Sequence, residues 1–362
     1  MKRVICLLIP MALLAAACGD DDGGTAAEPV ACEAGETDGN LDLYNWSEYI
    51  DPDLIPAFEA EYGVSVTETF FESNEVMLAQ IQAGGAAYDL IVPSDYMVSI
   101  MAEEGMLIPL TKAAIPNLAN LDPKFTGLPF DPTGDYSAPY QWGTTGIGFA
   151  YEALGEDFEP SWAVIFDPDP SYVGQISMLN DAREALGAAL KYLGYSVNTT
   201  SEAELQEAVD LLKSIKPAIA KFDSDQYEDD LVGGEVMIAH GWSGDFFFAF
   251  DDTDGWEDFG YFIPEEGAVA WVDNMAIPRT ADAVCTAHTF IDFMLDAENG
   301  AALTNYNFYA SPNAAAAEFV DPEILGDESI YPPDDVFERL EFIADTGAFE
   351  LKFQDAFTDV KN

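Results

Sequence analysis

Aromatic residues and carboxylates stand side by side at several points in this 362-residue chain, each time near the predicted end of a strand. Ammonium groups form charge-assisted hydrogen bonds with carboxylates and sit well on aromatic faces, and methylene groups pack against indole and phenol rings. The pattern therefore favours a binding surface for a ligand with an apolar chain and separated positive charges. The stretches are WSEY (46–49), SDY (94–96), WSGD (242–245), WVD (271–273) and, without an aromatic residue, NDARE (180–184).

Each of these stretches also has an ordinary structural explanation. An Asp that follows a strand commonly caps the next helix, and Trp and Tyr commonly belong to the core. It is the recurrence that favours a binding surface, because strand ends that meet would form walls of aromatic faces with carboxylates at intervals.

The composition indicates a packed globular protein with an unusual charge. Hydrophobic residues make up 49% of the chain, which is long enough for two domains. Asp and Glu number 67 against 13 Lys and Arg, a net charge of −54. This charge argues against nucleic acid and anionic membrane surfaces as partners. It fits a solvated surface suited to a saline habitat, a field that concentrates a cationic ligand, or both.

The sequence gives little support to an enzyme. His240 and His288 are its only histidines and stand in unrelated contexts. We find no phosphate loop, no nucleophile elbow, no CxxC pair and no DxDxDG calcium loop. We therefore expect no catalysis, no cofactor and no metal site, with a carboxylate pair among the many acids as the alternative.

The first residues are typical of a bacterial export signal. A basic start (1–3) precedes an apolar stretch (4–14), and small residues (15–17) precede Cys18. The apolar stretch is too short to span a membrane stably. The pattern resembles the lipobox, although Ala15 stands where Leu is commonest. We expect a signal peptide over 1–17, a lipid on Cys18 and a flexible acidic tether over 18–40; an ordinary cleaved signal is the alternative.

Two further cysteines, Cys32 and Cys285, would stay in the exported chain. Outside the cytoplasm they could form a disulfide between the end of the tether and the body. Cys285 also lies in the apolar pattern AVCTAHTFIDFML, which is typical of a small core residue. Both explanations stay open.

Strand-like and helix-like segments alternate twice along the chain, which predicts two α/β units around a cleft. In such sheets, ligands bind beyond the carboxyl ends of the strands. The first series is a strand at 41–45, a helix from Asp51 to Gly63, a strand at 64–71, a helix ending at Gly84-Gly85, a strand at 88–92 and a helix from Asp95. The second is a strand at 174–179, a helix at 180–193, a helix that Ser201 opens with Glu204 as a capping box, a strand ending at 223 and a strand at 235–239.

From about Leu41 to near Gly347 the chain strongly resembles the bacterial periplasmic spermidine/putrescine-binding proteins, the receptors of polyamine ABC transporters. The motifs that carry the resemblance are YNWSEYI, FFESNE, YDLIVPSDY, GDYSAPYQWGTTGIG, NDARE, LGYSVNTT, WVDNMAIP and SPN. It implies a two-lobed periplasmic binding protein fold of type II, with a mainly parallel sheet flanked by helices in each lobe and the ligand in the cleft. Lobe 1 would comprise 41–147 and 272–316, and lobe 2 would comprise 148–271 and 317–362.

The resemblance also implies a set of ligand-binding residues. These are Trp46, Ser47, Glu48, Tyr49, Ser94, Tyr96, Asp181, Glu184, Ser224, Trp242, Asp245, Trp271, Asp273 and Tyr309.

The specificity residues are mixed. Spermidine-type receptors carry a Gln where this chain reads Phe342-Ile343, and Ser47 and Asp245 are also more like the putrescine type. Four residues favour the spermidine type, namely Glu48, Tyr96, Asp181 and Trp271. Both ligands are therefore candidates.

The resulting expectation is an extracytoplasmic, lipid-anchored, monomeric receptor. It would bind a polyamine and deliver it to the permease of an ABC transporter, and it would contact the membrane through its lipid and contact no nucleic acid. The alternatives are a receptor for another solute, such as an amino acid or iron, and an enzyme on the same scaffold. The lack of a basic cluster at the strand ends argues against an anionic solute.

Overall fold

The computed structural model of the protein describes residues 29–84, 87–155, 158–253 and 255–362. The predicted signal peptide (1–17), Cys18, the first part of the predicted tether and Gly85 lie outside the described residues. Within the described ranges, no helix combines the length and the apolar character needed to cross a membrane.

Strands and helices alternate along most of the described chain. The strands are β1 Leu41–Asn45, β2 Val66–Phe70, β3 Leu90–Ile91, β4 Ser137–Ala150, β5 Ile176–Met178, β6 Ile219–Phe222, β7 Ile238–Trp242, β8 Phe259–Phe262, β9 Val269–Ala276 and β10 Glu341–Phe342. The helices are α1 Leu54–Tyr62, α2 Asn74–Ala83, α3 Asp95–Glu103, α4 Tyr151–Leu154, α5 Ala163–Phe166, α6 Ala182–Tyr192, α7 Glu202–Ile215, α8 Tyr227–Val232, α9 Ser243–Asp251, α10 Val284–Met294, α11 Ala297–Asn307, α12 Pro322–Leu325, α13 Asp334–Phe337 and α14 Glu350–Lys361.

The strands form a mixed sheet in the order β2-β1-β3-β9-β4-β7-β5-β6, with β10 paired to β9 and β8 paired to β4. Parallel pairs lie towards both edges: β1 pairs with β2 and β3, and β5 pairs with β6 and β7. The antiparallel strands β4 and β9 join the two parallel groups at the centre. Since parallel pairs need crossover connections, helices lie between their strands.

Strand β4 belongs to both halves of the sheet. Its first part, from Ser137 to Thr144, pairs with β9, and its second part, from Thr145 on, pairs with β7 and β8. Each half has its own apolar core, around Leu43 and Phe58 in one and around Ile176 and Phe353 in the other. The molecule therefore consists of two lobes that share its longest described strand.

Several predicted elements agree with the structure in type and shift at their ends. Strand β1 has the predicted bounds, and Gly63 ends α1 in the left-handed conformation with φ 71°. The strand predicted at 235–239 instead begins at Ile238, because the N–H groups of Glu235 and Val236 bond to the carbonyl of Asp230 in the turn after α8.

One capping prediction is half right. Ser201 accepts a hydrogen bond from the N–H of Glu204, but the Glu204 carboxylate accepts from Thr199 rather than from the Ser201 N–H.

The predicted position of WVD at a strand end is wrong. Trp271 and Asp273 lie inside β9, which runs antiparallel to β3 and β4 and passes the cleft along its length.

The end of the predicted tether is packed on the body of the protein. Asp38 accepts hydrogen bonds from the N–H groups of Cys285 and Thr286 at the start of α10. Cys32 forms a disulfide with Cys285, and both residues are buried. The two explanations for Cys285 therefore hold together: it is a core residue and it pairs with Cys32.

We expect the double substitution of Cys32→Ala and Cys285→Ala to lower the free energy of unfolding by about 2–4 kcal/mol. The disulfide joins residues 253 positions apart and so restricts a large part of the unfolded chain. Denaturant titrations of the two proteins, each with and without reductant, measure the effect. Reductant should destabilise the wild type and leave the double variant unchanged; a wild type that is insensitive to full reduction would contradict the prediction.

Candidate functional site

The predicted site residues line one cavity between the two lobes, which we call the central cavity. Its volume is about 220 Å³. Every residue of the predicted ligand-binding set lies on its wall. They come from the segment after β1, the starts of α3, α6 and α9, the segment after β6, the end of β7, the middle of β9 and the segment after α11.

The segment after β1 forms an aromatic corner of the central cavity. The Trp46 indole donates from Nε1 to the Val92 carbonyl at 2.9 Å, and its ring lies 4.4 Å from the Phe71 ring and 6.4 Å from that of Trp242. Ser47 and Glu48 are exposed, and Glu48 has a φ of 53°, in the left-handed region that non-glycine residues seldom adopt. This backbone turn lets Trp46 and the buried Tyr49 both face the cavity.

Asp273 is a buried carboxylate held by two hydroxyl groups. Ser94 donates to its Oδ1 at 2.6 Å and Tyr49 donates to its Oδ2 at 2.8 Å. Asn74 in turn donates to the Ser94 hydroxyl at 3.0 Å. Burial raises the pKa of Asp273 to about 7, although the two hydrogen bonds oppose this shift.

Asp245 has a similar arrangement in the first turn of α9. Tyr227 donates to one carboxylate oxygen at 2.6 Å and Tyr309 donates to the other. Burial raises the pKa of Asp245, and the charge of Glu48 raises it further. Both acids are thus oriented by neutral hydroxyls, which leave their charge uncompensated.

The NDARE segment supplies a third acidic group. Asp181 caps α6 by accepting from the N–H groups of Arg183 and Glu184, at 2.8 and 3.0 Å. Glu184 accepts from the Trp242 indole at 3.3 Å, and its other oxygen has no hydrogen-bond partner among the described residues. Burial, with a contribution from Asp181, raises the pKa of Glu184 to about 8. The helix-cap explanation is therefore right for Asp181, which also faces the cavity.

The remaining predicted residues complete the wall. Tyr96 donates to the Glu75 carboxylate at 3.0 Å, and the Ser224 hydroxyl accepts from the Asn180 N–H at 3.0 Å. Trp271 packs edge-on against the Tyr309 ring at 5.1 Å.

Sequence reasoning missed other residues of the same wall. Asp95 and Arg183 stand inside the quoted SDY and NDARE stretches, and three further residues stand inside the quoted FFESNE motif. Of the others, only Ile343 was named, at a departure from the family pattern. The missed lining residues are Phe71, Glu72, Asn74, Asp95, Arg183, Asp225, Glu228, Phe248, Asn307 and Ile343. Ile343, of the pair at which the family pattern departs, is the one that lines the cavity.

Glycines lie beneath two aromatic rings of the cavity wall and beneath Tyr227, the donor to Asp245, a role that no motif indicated. A Cβ on Gly244 would lie 2.6 Å from the ring of Tyr309, one on Gly143 would lie 2.7 Å from Trp271, and one on Gly241 would lie 2.0 Å from Tyr227. No real Cβ comes that close to a ring. These rings hold their places because the backbone beneath them carries no side chain.

The central cavity is strongly acidic. Nine carboxylate residues are among its lining residues, and Arg183 is the one cation in that set. The Arg183 guanidinium is already paired: it contacts Glu350 at 2.6 Å, donates to Asn198 at 2.9 Å and lies 4.5 Å from the Phe353 ring centre. The cavity can therefore hold a ligand that brings its own positive charges.

The sequence matches a known family over most of its length. The model for the family described as bacterial extracellular solute-binding proteins matches residues 53–329. This chain belongs to that family.

Relatives and solved structures extend the likeness beyond the family model. The solute-binding protein is 34% identical to the spermidine/putrescine-binding periplasmic protein of Escherichia coli, over 93% of this chain and 96% of the relative. A solved spermidine/putrescine ABC transporter substrate-binding protein of Streptococcus pneumoniae has a TM-score of 0.77 and 34% identity, over 90% of this chain and 99% of that one. A solved lipoprotein structure of Treponema pallidum has a TM-score of 0.78 and 32% identity, over 88% of this chain and 98% of that one.

These likenesses confirm three predictions about the solute-binding protein. Its fold is the two-lobed fold of periplasmic binding proteins, predicted as type II. Its family binds solutes and does not catalyse reactions, and the protein works outside the cytoplasm.

The buried carboxylates should make the ligand-free protein less stable as the pH rises from 5 to 8. The folded-state pKa of Glu184 is about 8, above the unfolded value of about 4.3. The contribution of Glu184 to the free energy of unfolding is therefore complete below the unfolded pKa and is lost as the pH rises through the folded pKa. The free energy of unfolding falls by at most about 1.4 kcal/mol per pH unit for this one group.

Denaturant titrations at several pH values test this for the wild type and for Glu184→Gln, which should show a shallower decline. Glu323→Gln, at an exposed position, is the matched control and should follow the wild type. Equal slopes in all three proteins would contradict the assignment of Glu184 as a buried, protonated group.

Proposed function

We propose that this solute-binding protein captures a polyamine, putrescine or spermidine, and delivers it to the permease of an ABC transporter. The observation that carries the proposal is a cavity with aromatic walls, nine acidic lining residues and a single lining cation that Glu350 already neutralises. The names of the E. coli and S. pneumoniae relatives support the choice of ligand class.

Two carboxylates are suited to hold the ammonium groups of a diamine. Asp273 and Asp245 each accept two hydroxyl hydrogen bonds, which fix their orientation without neutralising them. Tyr309 stands between them, because its hydroxyl bonds to Asp245 while its ring lies 5.2 Å from that of Tyr49, the partner of Asp273. A methylene chain between the two ammonium groups would lie against Tyr309 and Trp271.

A third ammonium group would meet the acids of the α6 start. Asp181 and Glu184 face the cavity there, and the charge of Asp181 raises the pKa of Glu184. These two acids favour a triamine, whose third ammonium group they could bind. The apolar Ile343, by contrast, offers a ligand no hydrogen bond at its part of the wall. Putrescine and spermidine are therefore both proposed, and their relative affinity is a direct measurement.

Delivery follows from the two-lobed architecture. The proposed lobe boundaries, 41–147 with 272–316 and 148–271 with 317–362, leave the central cavity between the lobes. A ligand that contacts both lobes would favour their closed arrangement, which the permease would then recognise. We propose that the receptor acts as a monomer.

We also propose that a signal peptide over 1–17 is removed and that Cys18 carries a lipid. The support is the basic, apolar and small-residue order before Cys18, together with a Treponema pallidum relative that is itself named a lipoprotein.

Native protein should therefore partition with membranes, and Cys18→Ser should release it or leave it unprocessed. Fractionation of cells and mass spectrometry of the first residue check both results. Cys32→Ser, which keeps the proposed signal intact, is the control and should stay with the membrane. A wild-type protein that is soluble, unlipidated and begins at another residue would contradict the proposal.

Polyamine binding should release protons and strengthen as the pH rises from 5.5 to 8. Asp273 and Glu184 have pKa values of about 7 and about 8 in the ligand-free protein. Ammonium groups, with pKa values of about 10, stay charged in this range and favour the ionised carboxylates. Asp273→Asn should weaken binding by about 2 kcal/mol or more and reduce the proton release.

Calorimetric titrations with putrescine, spermidine and spermine, in buffers of different ionisation enthalpy, measure both quantities. Butylamine, which has one ammonium group, should bind much more weakly than putrescine. Asp335→Asn, at an exposed position with the same change in charge, is the control and should bind like the wild type. Equal affinity for butylamine and putrescine would overturn the polyamine assignment, and an unchanged Asp273→Asn variant would remove Asp273 from the site.

A further inference from the structure

Asn198 forms a hydrogen-bonded bridge around Ile343, a residue of the central cavity wall. Asn198 stands in the LGYSVNTT motif and outside the predicted ligand-binding set. Its Nδ2 donates to the Phe342 carbonyl at 2.8 Å, and its Oδ1 accepts from the Ala344 N–H at 2.8 Å. The bridge therefore holds the backbone on both sides of Ile343, whose side chain is buried and lines the cavity.

This bridge takes over where a strand ladder stops. Strand β10 pairs with β9 through Glu341 and Phe342 and then ends. The chain beyond it reaches the surface, since Ala344 is exposed. A side-chain amide carries both donors and an acceptor, so it can pair with an extended backbone as a neighbouring strand would. Asn198 thus extends the ladder by the residue that faces the cavity.

Arg183 fixes the orientation of the bridging amide. Its Nη2 donates to Asn198 Oδ1 at 2.9 Å, and its Nη1 donates to the Ala344 carbonyl at 3.2 Å and pairs with Glu350 at 2.6 Å. Asn198 Oδ1 therefore faces two donors, and a rotation of the amide by half a turn would lose both bonds. The Arg183 guanidinium is itself held over the Phe353 ring.

The same network joins Ile343 to the acids at the start of α6. Arg183 lies between Asp181 and Glu184 in the chain and bonds directly to the residue that follows Ile343. In the proposed function these acids meet a third ammonium group, and the methylene groups that lead to it would pass Ile343. Apolar contact favours those methylene groups, and a wall that is already fixed loses less conformational entropy when the ligand binds.

We propose that Asn198 is a positioning residue for triamine selectivity: together with Arg183 it holds Ile343 beside the α6 acids, where the third arm of the ligand binds. A diamine held at Asp273 and Asp245 should depend on this part of the wall much less. The inference rests on the proposed polyamine function and adds to it the residue that prepares the site for a longer ligand.

Asn198→Ala removes the bridge and tests the proposal. Calorimetric titrations should show spermidine bound about fivefold more weakly, the loss expected for one net hydrogen bond, and putrescine bound as by the wild type. The ratio of the two affinities is the decisive quantity, because a merely structural role would weaken both ligands alike. Asn198→Ser, which is too short to reach both sides of Ile343, should shift the ratio in the same direction and serves if the alanine variant does not fold.

Asn305→Ala is the matched control, since Asn305 makes a similar bridge away from the central cavity. Asn305 donates to the Phe319 carbonyl at 3.2 Å and accepts from the Asp321 N–H at 2.8 Å, and none of these three residues lines the cavity. The control variant should therefore keep the wild-type ratio of spermidine to putrescine affinity.

A double-mutant cycle tests whether Asn198 acts through Ile343. Ile343→Ala should also weaken spermidine more than putrescine, and adding Asn198→Ala to it should cost little more, because the two residues share one effect. Additive losses, or an unchanged affinity ratio in Asn198→Ala with a wild type that binds both polyamines, would overturn this inference alone. A wild type that binds neither polyamine would overturn the proposed function and this inference together.

Discussion

The structure depends on one electrostatic problem, the burial of several carboxylates around a cavity that has almost no cations of its own. Isolated charges are costly away from water, and the raised pKa values of Glu184 and Asp273 express that cost. The fold reduces it with helix starts and hydroxyl groups. Asp181 caps α6, and Asp95 and Asp245 lie in the first turns of α3 and α9, where unpaired N–H groups favour negative charge.

The α/β topology brings these helix starts together. Helices that follow parallel strands begin at the same edge of the sheet, so acids at the starts of α3, α6 and α9 converge although they are far apart in the chain. Strand β9 adds Trp271 and Asp273 from its middle, because it runs through the centre of the sheet and joins both lobes. The glycines under Tyr309 and Trp271 then let the aromatic rings lie close to the backbone.

The sequence predicted the parts that depend on local pattern and on motif. The alternation of strands and helices, the bounds of β1 and the end of α1 at Gly63 follow from hydrophobic period and from the left-handed preference of glycine. The position of WVD was wrong because an antiparallel crossing strand has the same local pattern as a strand that ends at the cleft. Tyr227, Glu228 and Gly244 could not be found from the sequence, because their roles depend on contacts between elements.

Repulsion among the buried carboxylates would connect ligand binding to the closure of the two lobes. In the proposed function, closure brings acids from both lobes into a smaller, drier space, where their mutual repulsion rises as the dielectric constant falls. Without a cation that repulsion opposes closure, and protonation of Asp273 or Glu184 relieves it partly. A diamine relieves it fully at two points a fixed distance apart, whereas a monoamine leaves one carboxylate uncompensated. The charge spacing that gives selectivity thus also gives the ligand its differential affinity for the closed state, which is what a shift in population requires.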